Sequence, residues 1–209
     1  GRDNLLAIKS RITEGELVLD LGAMQADGMM TLMEKAPNKA YQKMTLSLEM
    51  GGQQQMIESE RWINGVKALE DGPMAPLKEL SGDELAEALE GAMFNDFARW
   101  KDLGYTVTVQ EKKMMEDKPV YVVEMKKKHG SEKMIIDAGN FMLIGKIEVR
   151  STPQGELETL TRYSDYRLID GVMLPHSMVS EGGPQTMKMT VRSYKNNADI
   201  PDSQFEKSL

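Results

Sequence analysis

The feature of this sequence that most restricts its fold is an alternation of apolar and polar residues with a period of two. The stretches GELVLDL and QKMTLSLEM, for example, place a leucine or methionine at every second position. This is the pattern of a β-strand that buries one face. Turn dipeptides such as Asn64-Gly65 and Asp170-Gly171 separate the alternating stretches, as expected for consecutive antiparallel hairpins. We count about eleven such strands along the chain.

An insert covering residues 73–103 has a helical pattern instead. Ser81 and Glu84 have the spacing of a helix-capping box, and apolar residues then recur at intervals of three and four. A break is expected near Gly91. We predict that this amphipathic insert lies over the sheet as a lid, with its apolar side directed inwards. The predicted lid residues are Leu85, Leu89, Met93 and Phe97.

These patterns predict a mainly β (α+β) fold in a single domain over residues 1–209. The length is sufficient for one domain with a real core, and no linker or internal repeat divides the chain. Because long twisted sheets tend to curl, we expect a strongly curved antiparallel sheet of about eleven strands. The sheet would form an open half-barrel, and the helical insert would cover its inner face.

Composition excludes several classes of function. The net charge is −7, and the short basic clusters at Lys112-Lys113 and Lys126–Lys128 adjoin acidic residues. A nucleic-acid partner is therefore not expected, because such binding depends on a continuous basic surface. The chain has no cysteine, which excludes thiol catalysis and cysteine-bound zinc. Its glycine pairs open no helix and so form no phosphate-binding loop. We expect no cofactor.

The stretch TRYSDYRLIDGVMLPHSM contains His176, one of two histidines, across a turn from Asp165. One interpretation is the acid–base site of a hydrolase or lyase, with Asp165 orienting His176. The other is a hairpin whose polar residues form a solvated face, because any hairpin brings such residues close together. We favour the hairpin and predict that the protein is not an enzyme.

Methionine is unusually frequent, with 18 residues against four phenylalanines and two tryptophans. Its unbranched, polarizable side chain adapts to ligands of irregular shape, so the apolar strand faces suggest a cavity for a flexible ligand. A soft-metal site at Met187-x-Met189 is a second interpretation, but methionines are spread over the whole chain. The predicted cavity wall consists of Leu17, Leu19, Met33, Met44, Leu46, Leu48, Met56 and Trp62.

The stretch YSDYRLIDGVMLPHSM resembles the C-terminal hairpin of the bacterial outer-membrane lipoprotein-sorting proteins, the LolA/LolB-like superfamily. IIDAGNFMLIGKIEV resembles a strand–turn–strand unit of that family, and LSGDELAEALEGAMFNDFARWKDLGYTV resembles its helical insert. The resemblance implies an open half-barrel closed by helices over an apolar cavity. It implies a monomeric periplasmic or outer-membrane-associated carrier or chaperone that binds a lipid or a lipoprotein acyl chain. An inner-membrane transporter or an outer-membrane receptor would be its protein partner.

The chain departs from the family pattern near its start. GRDNLLAIKS resembles only the end of the connection before the first strand, so the N-terminal helix of the family is expected to be missing. The lipoprotein carriers use a strand-borne arginine in the cavity, for which Arg11 and Arg61 are candidates without a supporting motif. The alternative function is an envelope sensor or protein-interaction module on the same fold, with a filled cavity and an exposed apolar patch.

Overall fold

A computed structural model describes residues 1–22, 24–73, 75–152 and 155–208, so Met74 of the predicted lid insert lies outside the described residues. The described residues form three α-helices and thirteen strands. The helices are α1 (Arg2–Ala7), α2 (Gly82–Gly91) and α3 (Asp96–Arg99). The strands are β1 (Ser10–Asp20), β2 (Gln25–Lys35), β3 (Lys39–Met50), β4 (Gln53–Ile63), β5 (Ala68–Gly72), β6 (Ala75–Glu79), β7 (Thr106–Met115), β8 (Lys118–Lys126), β9 (Ser131–Asp137), β10 (Leu143–Thr152), β11 (Gly155–Ile169), β12 (Val172–Gly182) and β13 (Gln185–Asn196).

The strands form one antiparallel sheet made of two meanders. Strands β1 to β6 follow one another in space, and so do β7 to β13, and the pairing of β1 with β13 joins the two sets. The strand order begins at β6 and ends at β7, so the described sheet is open and not closed into a barrel. The mainly β class and the open antiparallel sheet are therefore confirmed.

The predicted number of strands was wrong, because the sheet contains thirteen strands within the described residues. The two additional strands, β5 and β6, have five residues each. They are too short to show a clear alternation, and Pro76 argues against a strand in most positions. Pro76 is tolerated here because β6 is an edge strand of the sheet, where proline does not interrupt a ladder on its outer side. The predicted helical insert therefore begins with a strand.

The sheet curls towards the segment that connects β6 to β7. Ala92 packs against a cluster containing Ala68 of β5, and Trp100 packs against one containing Val123 of β8. Strand β5 is second and β8 is twelfth in the strand order, which would separate them by about 48 Å in a flat sheet. The chain from Ala92 to Trp100 spans at most about 29 Å when fully extended. The sheet must therefore bend around this segment.

Residues that face each other on neighbouring strands point to the same side of the sheet, so the pairing traces one face from strand to strand. Leu17 lies opposite Gly28, and Gly28 lies opposite Leu46. Leu46 lies opposite Ile57, which shares a side of β4 with Ile63. Since Ile63 packs against the cluster that α2 joins, the helical segment lies on the side that carries Leu17. We call this side the concave face and the other the convex face.

The residues after β13 cross the convex face. Ile200 is 2% exposed and Phe205 is 1% exposed, and the 3₁₀ turn Asp202–Phe205 contacts β3 and β4. The Lys207 ammonium lies 4.8 Å from the centre of the Trp62 ring. This tail covers the aromatic surface of β3 and β4, which explains how Trp62 is buried on the outside of the curve.

An ion pair attaches the tail to the sheet and gives the first testable prediction. The carboxylate of Asp202 lies 2.8 Å from both Lys35 Nζ and Lys39 Nζ. Hydrogen bonds from Lys35 and Lys39 lower the pKa of Asp202 to about 2. A depressed folded-state pKa contributes stability above the unfolded-state value, near 3.9, which is lost as the pH falls through about 2. We expect Asp202→Asn to lower the melting temperature at pH 7.

The pH dependence separates this ion pair from a packing effect. The difference in melting temperature between the Asp202→Asn variant and the unmodified protein should narrow as the pH falls from about 4 towards 2. Calorimetric melting over this range measures it, and the carboxyl ¹³C shift of Asp202 reports the pKa directly. A difference that stays constant with pH would contradict the ion-pair explanation.

Candidate functional site

The concave face brings together five of the eight predicted wall residues. Leu17 of β1 is 1% exposed, and Leu46 and Leu48 of β3 are 6% and 7% exposed. Leu19 and Met44 are partly buried and pack against the same cluster. The remaining buried members of this cluster come from β2 and β13, so the apolar surface spans the centre of the sheet.

The other three predicted wall residues lie on the convex face. Met33 lies opposite Ile12, and Trp62 lies opposite Tyr41. The sequence neighbours of Ile12 and Tyr41 face the concave side. Because side chains alternate along a strand, Met33 and Trp62 face the convex side. Trp62 is buried under the tail, whereas Met56 is 65% exposed. The face of β2 and β4 was ambiguous in the sequence because apolar residues occupy both parities there.

The predicted helical lid over this wall is not confirmed. Leu85 and Leu89 pack against the cluster of Ile63 and Ala68, which lies at the end of β4 and the start of β5. Met93 is partly buried, and Phe97 is 44% exposed. The insert is divided into α2 and α3, with the break after Gly91 as predicted. Ser81 is the N-cap of α2 but makes no side-chain capping hydrogen bond.

Five methionines lie on the part of the concave face that the helical segment leaves uncovered. Met30 of β2 lies opposite Met44 of β3, and Met178 of β12 lies opposite Met189 of β13. Met187 lies opposite Leu19. Among the described residues, the cluster around Leu17 contains members of β1 to β4, β12 and β13 and none of α1 to α3. We call Met30, Met44, Met178, Met187 and Met189 the methionine surface.

Gly15 makes the methionine surface continuous across β1. It lies opposite Met30 on one side and Val191 on the other. A side chain at this position would begin 2.8 Å from the Met189 methyl carbon, so Met189 fills the space that glycine leaves open. The sequence showed the Met187-x-Met189 spacing, but the pairing with Met30 and Met44 depends on strand register, which no local pattern reveals.

A half-buried arginine lies under the helical segment on the same face. The Arg11 guanidinium is 5.5 Å from the centre of the Phe94 ring and 5.9 Å from that of Tyr194. Its Nε donates to Asn196 Oδ1 at 2.9 Å, and its buried Nη2 has no hydrogen-bond partner among the described residues. Glu34 faces Arg11 across the β1–β2 pair, and burial raises the pKa of Glu34 and lowers that of Arg11.

The second arginine candidate, Arg61, is also on the concave face but is already paired. Its Nε lies 3.0 Å from Glu70 Oε1 on the adjacent strand β5. Both side chains of the pair are more than a third exposed, so this pair is a peripheral contact of small energy. Of the two arginines, Arg11 is the one that contacts Phe94 of the helical segment.

A network of charged groups connects α3 to strands β9 and β10. Lys127 Nζ lies 2.6 Å from Asp96 and 3.3 Å from Glu132. Lys146 Nζ lies 2.5 Å from Glu132 and 2.9 Å from Glu148. These carboxylates raise the pKa of Lys146 although burial lowers it. Each ammonium group in the network is paired with two carboxylates, so we interpret the network as a structural connection between α3 and the sheet.

The hairpin around Asp170-Gly171 is confirmed, with both turn residues in the left-handed conformation. His176, however, is not on a solvated face, since it is 5% exposed and lies edge-on to Tyr194 at 5.2 Å. Its Nδ1 lies 3.1 Å from the Leu174 carbonyl oxygen. The Asp165 carboxylate accepts from Arg167 instead, which holds the pKa of that carboxyl below its usual range. Asp165 therefore does not orient His176 as the acid–base interpretation requires.

The described part of the chain contains no group of three His, Cys, Asp or Glu side chains placed to hold a metal ion. Within the same residues, no helix combines the length and apolar character needed to cross a bilayer.

Solved structures share this fold at low sequence identity. A DUF1329 family protein from Desulfovibrio piger matches with a TM-score of 0.61 and 12% identity, over 98% of this chain and 92% of the other. A LolA superfamily protein from Nitrosomonas europaea matches with a TM-score of 0.62 and 14% identity, over 98% and 95%. A putative outer-membrane lipoprotein-sorting protein domain from Vibrio parahaemolyticus matches with a TM-score of 0.59 and 10% identity, over 94% and 89%.

Comparison of sequences alone finds no such relative. No family model matches the chain, and no curated protein matches it. The likeness is therefore one of backbone architecture, and it extends over nearly the whole of each chain. The protein has the fold of the LolA superfamily and of outer-membrane lipoprotein-sorting proteins.

Proposed function

We propose that this protein is a non-enzymatic carrier that holds the acyl chain of a lipid or lipoprotein against the methionine surface. Binding would be hydrophobic, since each buried methylene contributes about 0.8 kcal/mol without any specific polar contact. Release would follow contact with a receptor that offers a more apolar site. Such a carrier would act in the periplasm, between an inner-membrane transporter and an outer-membrane receptor.

The observation that carries the proposal is the position of the methionine surface. It lies inside the curve of the sheet, and no described helix packs against its cluster. Four of its five members are only partly buried, and Met189 alone is 4% exposed. An exposed or half-covered apolar surface of this kind is typical of a ligand or partner site. The LolA-superfamily fold supports the same interpretation.

Methionine side chains suit this role because they can change shape without moving the strands. Each has three rotatable bonds and no branch at Cβ. In the structure they pack on Leu17, Leu46 and Leu48 as part of one cluster. We infer that rotation of Met30, Met44 and their neighbours opens a groove for an acyl chain and closes it after release.

Mass spectrometry of an organic extract from the natively purified protein tests the proposal. We expect a lipid at close to one molecule per protein. An extract that stays free of lipid, even after incubation with bacterial envelope lipids, would refute the carrier function. That result would favour a sensor or protein-interaction module on the same fold.

Adjacent methionines on opposite faces provide a matched pair of variants. Met30 belongs to the methionine surface, whereas Met29 points to the convex side and is 41% exposed. We expect Met30→Gln to weaken lipid binding about tenfold, because a polar amide replaces part of an apolar contact. Met29→Gln should leave binding unchanged. Fluorescent fatty-acid displacement measures both, and equal losses in the two variants would contradict a site on the concave face.

A further inference from the structure

A separate pocket of about 410 Å³ lies between α1, the turn joining β2 to β3, and α3. Its volume is within the range of small-molecule sites, which run from about 300 to 1,000 Å³. From its lining we infer that it binds an amphiphile with one oxyanion, a carboxylate or a phosphate, joined to an apolar chain. This inference does not depend on the proposed function. The lining residues are Leu6, Ile8, Lys9, Ala36, Pro37, Phe94, Asn95 and Arg99.

The floor of the pocket is apolar and firmly held. Ile8 and Phe94 are each 3% exposed and belong to one buried cluster, against which Ala36 packs. The Phe94 backbone N–H donates to the Pro37 carbonyl oxygen at 3.0 Å. Asn95 adopts a left-handed conformation, and its Nδ2 donates to the Leu5 carbonyl oxygen at 2.8 Å. These bonds connect three separate segments, so the pocket is preformed.

The charge of the pocket is positive although the protein is acidic. Lys9 and Arg99 line it, and none of its lining residues is an aspartate or glutamate, in a chain whose net charge is −7. Lys9 Nζ donates to the Leu6 carbonyl oxygen at 2.7 Å, which keeps the ammonium near the lining. An anion is therefore the ligand charge that this pocket complements.

The charge of Arg99 is not compensated by any described carboxylate, unlike the charges of Arg2 and Lys127 nearby. Arg2 lies 3.6 Å from Asp102, and Lys127 lies 2.6 Å from Asp96. The Arg99 guanidinium has no hydrogen bond or ion pair to any of the described residues. A planar guanidinium at the rim of an apolar pocket presents paired donors to a carboxylate or phosphate.

A neighbouring pocket of about 360 Å³ shows the contrast. Its lining includes Arg2, Lys101 and Asp102, so its positive charge is partly neutralised by a carboxylate within it. Lys101 also lies 5.2 Å from the centre of the Trp100 ring. Lys101 is therefore a suitable control: it carries the same charge as Arg99, lies two residues away, and faces a different pocket.

Calorimetric titration with decanoate, decyl phosphate and decanol, each below its micelle concentration, tests the inference. We expect decanoate or decyl phosphate to bind, and decanol to bind at least about tenfold more weakly, because it lacks the charge. Whichever of the two anions binds more tightly identifies the class of oxyanion. Failure of both anions to bind up to their solubility limit would overturn the proposal.

Variants then locate the binding. Arg99→Gln and Lys9→Gln should each weaken anion binding, Arg99→Gln by about tenfold, whereas Lys101→Gln should stay within about twofold. Circular dichroism melting verifies that each variant is folded. The Met29→Gln variant, on the convex face, should bind decanoate as the unmodified protein does. Binding that is lost in Met30→Gln but retained in Arg99→Gln would place the amphiphile on the concave face and refute this site.

Discussion

Phe205→Ala is expected to lower the free energy of unfolding by about 3–5 kcal/mol. Phe205 is 1% exposed, among the most deeply buried large side chains described. It belongs to the tail that crosses the convex face, where the Asp202–Phe205 turn contacts β3 and β4. Removing the ring leaves a cavity between the tail and the sheet, and the tail has few other apolar residues with which to fill it.

Urea unfolding followed by far-ultraviolet circular dichroism measures this effect. Phe141→Ala is the matched control, because Phe141 is 72% exposed and its truncation should change stability by no more than about 0.5 kcal/mol. Both variants remove the same atoms. A loss in Phe205→Ala as small as that in Phe141→Ala would show that the tail does not contribute to the stability of the sheet.

The second large effect concerns Gly28, which lies between Leu17 and Leu46 on the concave face. A methyl group added there would overlap the Thr45 carbonyl oxygen and would lie 2.9 Å from a Leu46 methyl carbon. The carbonyl is part of the backbone of β3, so the two strands must separate to accept the methyl. We expect Gly28→Ala to lower the free energy of unfolding by about 3 kcal/mol, the upper end of the cost of overpacking.

Gly130→Ala provides the comparison for Gly28→Ala. A methyl at Gly130 meets no atom within 4 Å, and the residue is not in the left-handed region. Its replacement should change stability by less than about 0.5 kcal/mol. Denaturant unfolding of the two variants under identical conditions measures the difference. Equal stability would mean that β2 and β3 approach each other less closely than the structure shows.

Much of the fold was predictable because alternation and turns are local signals. The hairpin at Asp170-Gly171 and the break after Gly91 were predicted at the correct residues. Strands β5 and β6 were missed because five residues do not establish a period, and because Pro76 and Gly72 resemble a loop. The lid over the predicted wall is not confirmed, because a helical pattern reveals which side of a helix is apolar but not which strands it meets.

The candidate site was predictable only in part, for a reason specific to β2 and β4. On β3 one parity is clearly apolar, so Met44, Leu46 and Leu48 were placed on one face. On β2, Met29 and Met30 are adjacent, and the choice of face depends on the pairing of Met30 with Met44. Register is a long-range property, and a shift of one residue exchanges the faces. The free Arg99 and its pocket depend on contacts among distant segments and gave no local signal.

The pairing of β1 with β13 has a consequence for how the protein is made. These two strands lie side by side in the middle of the sheet, although they come first and last among the strands along the chain. As the polypeptide emerges, β1 has β2 on one side and an open edge on the other until β13 arrives. This strand carries Leu17 and Leu19 on one face. A strand with an apolar face and an unpaired edge is prone to aggregation. We therefore expect folding to be slow, because β1 can pair with β13 only after the rest of the sheet has been made. Until then the nascent chain needs protection from aggregation.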